Sequence, residues 1–99
     1  MRKESDFQNS LMYEIKQRLP GAIVIKLDAH YIQGIPDLLI LYKDRWGSLE
    51  CKKSEKATHR PNQEYYVEKM NKMSFSSFIF PENRTEVLNE LQRALESGR

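Results

Sequence analysis

Apolar residues recur at every fourth position near the start of the chain, and shorter apolar runs follow. The four residues that share this spacing are Phe7, Leu11, Ile15 and Leu19. This spacing predicts an amphipathic helix over about 4–19. Pro20-Gly21 comes directly afterwards and is expected to end the helix. The chain therefore begins with a helix whose apolar stripe must pack on a core.

Three short apolar runs after this helix predict three strands. In chain order they are 22–27 (AIVIKL), 37–42 (DLLILY) and 46–53 (WGSLECKK). The second run is almost continuously apolar, which predicts a strand buried on both faces. The polar turn Lys43-Asp44-Arg45 is so short that the second and third strands are expected to be antiparallel.

The second half of the chain predicts a helix, a strand and a final helix. These segments are 62–73, 75–80 and about 85–95. Tyr66, Met70 and Met73 are spaced for one face of the first of these helices. The whole order, αβββαβα, predicts an α/β fold with a mixed sheet flanked by helices, in one domain over residues 1–99.

Composition limits the class of protein and of metal site. No apolar run approaches the roughly 20 residues of a membrane span, and no apolar stretch near the N-terminus resembles a signal peptide. We therefore expect a cytoplasmic protein without a membrane partner. With one cysteine and two histidines, an ordinary structural zinc site is not expected. Any metal is expected to be a hard ion with oxygen ligands.

Positive charge is concentrated in one segment. The chain carries a net charge of +2, but residues 43–60 contain six basic and three acidic side chains. On charge alone, this segment is either a solvated turn or a surface that faces phosphate groups.

Two carboxylates and a lysine are the candidate catalytic residues. Side chains alternate along a strand, so Glu50 and Lys52 share one face and Cys51 points to the other. Asp37 begins the neighbouring antiparallel strand, and its carboxylate can converge with that of Glu50. Two such carboxylates repel unless a cation lies between them, and Mg²⁺ prefers carboxylate and water ligands. The backbone carbonyl of Cys51 is a further candidate ligand.

Lys52 has two possible roles beside such an ion. Hydrolysis of a phosphodiester needs a water with a lowered pKa, which a divalent metal supplies. Lys52 then either holds that water as a base or offsets the negative charge that develops on the phosphate. The sequence leaves both roles open.

These motifs resemble those of a known enzyme family. The run Gly34-Ile35-Pro36-Asp37, followed by Leu49-Glu50-Cys51-Lys52 and Gln63, is similar to the PD-(D/E)XK nuclease superfamily. Within it, the VRR-NUC branch and small phage Holliday-junction-resolvase-like enzymes are most similar. The resemblance covers nearly the whole chain and implies a restriction-endonuclease-like αβββαβ core with a C-terminal helix. It also implies that Asp37, Glu50 and Lys52 form an active site with Mg²⁺, or Mn²⁺ as a substitute.

The resemblance further implies an acid on the first helix and a glutamine after the lysine. Glu4 is preferred to Glu14 because, at 100° per residue, it falls at the centre of the apolar stripe. The helix dipole also favours an ionised carboxylate there. Glu4 is therefore predicted to be catalytic and to bind the metal, and Glu14 to be a surface or ion-pair residue. Gln63 is predicted near the phosphate or the metal-bound water, or else is an ordinary first-turn residue.

The expected partner is DNA, branched or duplex. The residues predicted to contact nucleic acid are Lys53, Lys56, His59 and Arg60, with Tyr31 and Gln33 from the loop before Pro36. Cutting two opposed strands needs two sites, so a two-fold homodimer is expected. The first helix and the strand 75–80 are the candidate interfaces, because three phenylalanines in that strand exceed what one sheet face needs.

Together these inferences predict a magnesium-dependent endonuclease that acts on structured DNA, without a small-molecule cofactor. The resemblance implies a place in phage replication or recombination, hence in the host cytoplasm. Two other readings remain open: a non-catalytic nucleic-acid-binding module on a nuclease scaffold, and a protein-binding partner. The preference for junction, flap, duplex or RNA is also left open.

Overall fold

A four-stranded sheet with helices on both faces makes up the fold. The computed structural model describes residues 4–98, with side chains from residue 5 onward. In chain order the elements are α1 (Glu4–Arg18), β1 (Ile23–Lys26), β2 (Leu38–Tyr42), β3 (Arg45–Cys51), α2 (Gln63–Met73), β4 (Phe75–Ile79) and α3 (Arg84–Ser97). A 3₁₀ turn, Pro81–Asn83, precedes α3. The predicted order αβββαβα and the mixed α/β class are confirmed.

The sheet has the order β1-β2-β3-β4. The first two pairings are antiparallel and β3 pairs with β4 in parallel. Helix α2 forms the crossover that a parallel pair requires. Tyr42 pairs with Arg45, so β2 and β3 form a hairpin with a two-residue loop, in which Lys43 has a φ of 57°. The predicted antiparallel hairpin is therefore confirmed.

The apolar core lies on one face of the sheet, under α1 and α3. The α1 stripe predicted from the sequence is buried there in full. Alternate residues of the strands meet it from the sheet, namely Leu38, Ile40, Leu49, Cys51, Phe75 and Ile79. Helix α3 completes the core with Val87, Leu88, Leu91, Ala94 and Leu95.

Helix α2 covers only part of the opposite face, because it packs on β3 and β4. The prediction that β2 is buried on both faces is therefore wrong. Leu38 and Ile40 are buried in the core, whereas Leu39 and Leu41 are only half-buried on the α2 side. Beyond them, Ile23 on the edge strand β1 is 58% exposed.

The predicted apolar face of α2 is correct only in part, because Tyr66 and Met70 are half-buried and Met73 is not. Gln63 and Val67 are its buried residues, whereas Met73 is 67% exposed. Gln63 is buried beside Tyr66 and Met70 because of its polar contacts with Lys52 and Glu50, which an apolar pattern cannot reveal.

The phenylalanines of the fourth strand have partners within the fold. Phe75 is buried in the core, and the ring of Phe78 stacks on His59. The two rings lie on opposite faces of the sheet, and a dimer interface at this strand stays a prediction. Among the helices of the described residues, none has the length and apolar character needed to cross a membrane.

Candidate active site

The face of β3 that points toward α2 is polar and buried. Ser48, Glu50 and Lys52 lie along it; Glu50 is 2% exposed and Lys52 is 6% exposed. Lys52 follows the last residue of β3, yet its backbone N–H donates to the carbonyl of Ile79 at 2.8 Å. The alternation of the strand therefore continues through Lys52. Charged groups buried this deeply require polar partners.

Asp37 is brought opposite Glu50 by the hairpin. Leu38 pairs with Leu49, so the residue before Leu38 and the residue after Leu49 are opposed across the two strands. The side-chain Oδ2 of Asp37 accepts a hydrogen bond from the backbone N–H of Cys51 at 2.9 Å. Both carboxylates line the same cleft, as the alternation and the hairpin predict.

Gln63 connects the buried lysine to the buried glutamate. The Nζ of Lys52 donates to Oε1 of Gln63 at 2.5 Å, and Nε2 of Gln63 donates to Oε2 of Glu50 at 3.1 Å. Lys52 also donates to the carbonyl of Thr58 at 3.1 Å. An amide has an acceptor at one end and a donor at the other, so it can serve an ammonium and a carboxylate together. Gln63 thus holds the two groups in a fixed relation.

A tight turn delivers Gln63 to this position. The N–H of Gln63 donates to the carbonyl of Arg60 at 3.2 Å, which closes a four-residue turn with Pro61 and Asn62 in the middle. Asn62 has φ 69° and ψ −3°, values typical of the third residue of a type II turn, with proline favoured before it. The N–H of Arg60 in turn donates to Oε1 of Gln63 at 2.8 Å. The sequence Arg-Pro-Asn-Gln therefore encodes the placement of the amide.

The loop that carries Asp37 touches this turn at Gly34. Gly34 has a φ of 91°, and a Cβ built on it would lie 2.6 Å from Cβ of Asn62. Glycine alone adopts this backbone conformation at little cost and leaves room for the contact. The loop before Asp37 and the turn before Gln63 are therefore seated directly on each other.

These residues line one cleft of about 970 Å³. It contains the predicted chemical residues Asp37, Glu50, Lys52 and Gln63. Of the residues predicted to contact nucleic acid, it contains Gln33, Lys53, Lys56 and Arg60. Four of the six basic residues of the segment 43–60 thus line the same cleft as the carboxylates.

Two of the predicted nucleic-acid contacts lie elsewhere. Tyr31 does not line the cleft and is 85% exposed. His59 also does not line it; its ring stacks on Phe78, with the centroids 4.1 Å apart and the planes 13° apart. The sequence analysis missed the carbonyl of Thr58, because a backbone acceptor has no side-chain signal. It also missed Asn62, which the Pro-Asn turn pattern could have indicated.

The structure describes the side chain of one of the two candidate acids of α1. Glu4 is the first residue of the helix, and its side chain lies outside the described residues. Glu14 bonds to Arg18 at 2.9 Å and to Arg84 at 2.8 Å, as the ion-pair prediction required. Partial burial alone would raise the pKa of Glu14, but the bonds and charges of Arg84 and Arg18 outweigh it and hold the pKa below its ordinary value.

The donors in the cleft suit a hard cation. Asp37 and Glu50 present carboxylate oxygens, which Mg²⁺ and Mn²⁺ prefer, and waters complete such a site. Among the side chains that the structure describes, those of residues 5–98, no group of three or more His, Cys, Asp or Glu is close enough to hold a metal ion. The described part of the site therefore offers two acidic side chains, and ligation by Glu4 and by the Cys51 carbonyl stays a prediction.

Two solved structures resemble the chain. One, described as a VRR_NUC domain, has 22% sequence identity and a TM-score of 0.57, and the match covers 92% of this chain and 96% of that one. The other is Hjc, a Holliday junction resolvase from Archaeoglobus fulgidus, with 12% identity and a TM-score of 0.52, covering 77% of this chain and 67% of that one. No family model matches the sequence, and no curated protein does. The chain therefore has the restriction-endonuclease-like fold of these two PD-(D/E)XK nucleases, and at the level of fold the resemblance drawn from its motifs is confirmed.

Proposed function

We propose that this protein is a metal-dependent endonuclease that hydrolyses DNA phosphodiester bonds in this cleft. A fold alone does not specify an activity, so the proposal rests on one observation about the site. Two opposed carboxylates, Asp37 and Glu50, share a cleft with the buried Lys52, and Gln63 links the lysine to Glu50. This set combines metal ligands with a positive charge that can face a phosphate.

Asp37 and Glu50 would hold a divalent cation, Mg²⁺ or Mn²⁺, with Glu4 and the carbonyl of Cys51 as proposed additional ligands. A bound ion would lower the pKa of a coordinated water and offset phosphate charge. Asp37 is oriented for this task by the N–H of Cys51, and Glu50 by the amide of Gln63. Preorganised ligands of this kind need little rearrangement when the ion binds.

We assign Lys52 to the charge that develops on the phosphate. An ammonium has three N–H donors, and two of them go to Thr58 and Gln63. The third remains for a phosphate oxygen or for the attacking water. Because Lys52 is buried, its charge acts in a medium of low dielectric constant, where such stabilisation is strongest.

DNA would lie along the basic rim of the cleft. Lys53, Lys56 and Arg60 border the carboxylates and would contact the phosphate backbone, giving affinity that falls with salt. Gln33, from the loop before Asp37, would reach a sugar or base edge, and Tyr31 on the same loop would meet DNA farther out. Branched DNA is the proposed substrate because one similar structure is a Holliday junction resolvase. The proposed role in phage recombination rests on the motif resemblance alone.

A second copy would supply the second active site that a junction needs. The half of the sheet that α2 leaves open exposes Ile23 by 58% and Ile25 by 39%. Leu39 and Leu41 extend this apolar surface on the paired strand. Exposed apolar patches of this kind mark interaction surfaces. The proposed two-fold interface therefore uses β1 and β2 in place of α1 or the strand 75–80.

Light scattering tests this interface. Ile23→Lys is expected to convert the dimer to a monomer, whereas Tyr13→Lys, at a residue of α1 that is 69% exposed, should leave it intact. A monomeric wild type, or dissociation by the Tyr13 change alone, would overturn the assignment.

The activity is tested with labelled four-way junctions, flaps, duplexes, single strands and RNA. Each substrate is incubated with Mg²⁺, Mn²⁺ or EDTA, using wild type and Asp37→Asn. We expect nicking of branched DNA by wild type with either ion, and no product in EDTA or from the variant. Salt-sensitive binding without product under any ion would instead support the non-catalytic module.

A further inference from the structure

His59 lies in the basic segment, but its side chain turns away from the cleft. Its neighbours Thr58 and Arg60 both line the cleft. The imidazole instead stacks on the ring of Phe78, with centroids 4.1 Å apart, and its Nδ1 lies 3.1 Å from Oε1 of Glu64. The segment 57–60 has no regular secondary structure. A phosphate contact does not explain this placement.

The two peptide groups that flank His59 are the ones that hold the site. The carbonyl of Thr58 accepts a hydrogen bond from Nζ of Lys52 at 3.1 Å. The N–H of Arg60 donates to Oε1 of Gln63 at 2.8 Å. The position of this short segment therefore sets the position of both Lys52 and Gln63.

We propose that His59 is a positioning residue that fixes this segment against the sheet. Phe78 is its support: it lies on β4, directly opposite Glu50 in the strand register. The ring that His59 contacts is thus carried by the same sheet that carries the glutamate. Glu64 is 74% exposed, so its pairing with His59 is weak, and the stacked rings supply most of the hold.

The catalytic consequence of this inference rests on the proposed function. Without the His59 ring, the Thr58 carbonyl and the Arg60 N–H would shift, and Lys52 and Gln63 would lose their fixed orientation. The chemical step should then slow while DNA affinity is kept. A residue that binds phosphate would behave in the opposite way, with weaker binding and a smaller salt dependence.

Amide hydrogen exchange at Arg60 tests the positioning without any activity. Metal-free wild type is compared with His59→Ala, with His59→Phe, which keeps a stacking ring, and with Lys56→Ala as a control in the cleft. We expect exchange at Arg60 to be about 10-fold faster in His59→Ala only, because its hydrogen bond to Gln63 opens more often. Unchanged exchange in His59→Ala would overturn the proposal.

Steady-state cleavage of a junction gives the second readout. His59→Ala should lower kcat by about 10-fold, the usual range for a residue that orients catalytic groups, with KM within about twofold of wild type. His59→Phe should restore kcat, and Lys56→Ala should raise KM with kcat unchanged. A raised KM with an unchanged kcat in His59→Ala would identify a phosphate contact and contradict the proposal.

The two experiments separate two failures. If wild type cuts no substrate, the proposed nuclease function fails, but the exchange rate at Arg60 still decides whether His59 holds the segment. If wild type cuts and neither exchange nor kcat changes in His59→Ala, the positioning role fails alone.

Discussion

The two faces of β3 are built from alternate residues of one strand, yet they have opposite chemistry. Toward α1 and α3, Leu49 and Cys51 are fully buried in the apolar core. Toward α2, Ser48, Glu50 and Lys52 are just as inaccessible but polar. Because side chains alternate, a single strand of seven residues, with the residue after it, contributes to both the core and the site. One face therefore stabilises the fold, and the other holds the residues that we propose for the chemistry.

The energetics of the two faces differ in sign. Each buried leucine on the core side stabilises the fold by about 1.5–3 kcal/mol relative to an exposed one. On the other side, removing a carboxylate and an ammonium from water is unfavourable, and the hydrogen bonds through Gln63 offset only part of that cost. The polar face is therefore best explained by function.

The largest loss of cleavage activity is expected from a substitution on the polar face of β3. Glu50→Gln keeps the shape of the side chain but removes a metal ligand, and cleavage should fall about 1,000-fold. The free energy of unfolding of the metal-free protein should be unchanged or higher, because repulsion between two facing carboxylates is removed. Single-turnover cleavage and denaturant unfolding measure the two quantities. A Glu50→Gln variant that keeps a tenth of the cleavage activity, or one that unfolds, would contradict the proposal that this face serves cleavage and not stability.

The next largest effect is a loss of stability, expected from a substitution on the apolar face of β3. Leu49→Ala leaves a cavity at a fully buried position and should lower the free energy of unfolding by about 3 kcal/mol. Cleavage per folded molecule should stay close to wild type. Leu49→Met, which conserves volume, is the control and should cost less than about 1.5 kcal/mol. Loss of cleavage in well-folded Leu49→Ala would mean that the two faces are not independent.

A smaller effect tests the contact between the two loops. Gly34 and Gly21 both have a φ of 91°, but a Cβ at Gly21 meets nothing within 4 Å, whereas one at Gly34 meets Asn62. Gly21→Ala should therefore show the backbone strain alone, about 1–2 kcal/mol. Gly34→Ala should lose more stability and also lower kcat, because Asp37 and Gln63 are displaced relative to each other. Equal stability and equal kcat in the two variants would show that the contact between Gly34 and Asn62 does not affect stability or cleavage.

The smallest effect lies on the core side, between α1 and α3. The pKa of Glu14 is lowered in the folded state, so its stabilisation is present above its unfolded pKa and is lost as pH falls through the folded pKa. Glu14→Gln should cost about 0.5–1 kcal/mol at neutral pH. Below the folded pKa, that difference should shrink toward zero. Thermal unfolding of both proteins across acidic pH checks this, and a gap that widens on acidification would refute it.

The sequence was sufficient to predict those elements and side-chain directions that depend on hydrophobic periodicity and on residues adjacent in the chain. The α1 stripe, the β2–β3 hairpin and the alternation of Glu50, Cys51 and Lys52 all follow from local patterns. It could not predict the half-exposed face of β2, because that depends on which strands α2 covers. Nor could it place His59, since charge and composition do not reveal which way one side chain of an irregular segment turns.

The residues of α2 that face the sheet are a third feature that the sequence could not predict in full. Apolar spacing correctly selected Tyr66 and Met70, which are half-buried, but it wrongly added Met73. It also missed Gln63, which is buried on this face with hydrogen bonds to Glu50 and Lys52. A buried amide in a first turn has the same sequence as an exposed one. Its role appears only when the buried charges of the sheet are known.

We propose that the polar face of β3 and Asp37 together form a divalent-cation site. Anomalous diffraction from a crystal soaked in Mn²⁺ tests it most directly. We expect a manganese peak in contact with carboxylate oxygens of both Asp37 and Glu50 in wild type, and no such peak in Glu50→Gln. A wild-type crystal with manganese bound only elsewhere, and with these two carboxylates turned apart, would contradict it.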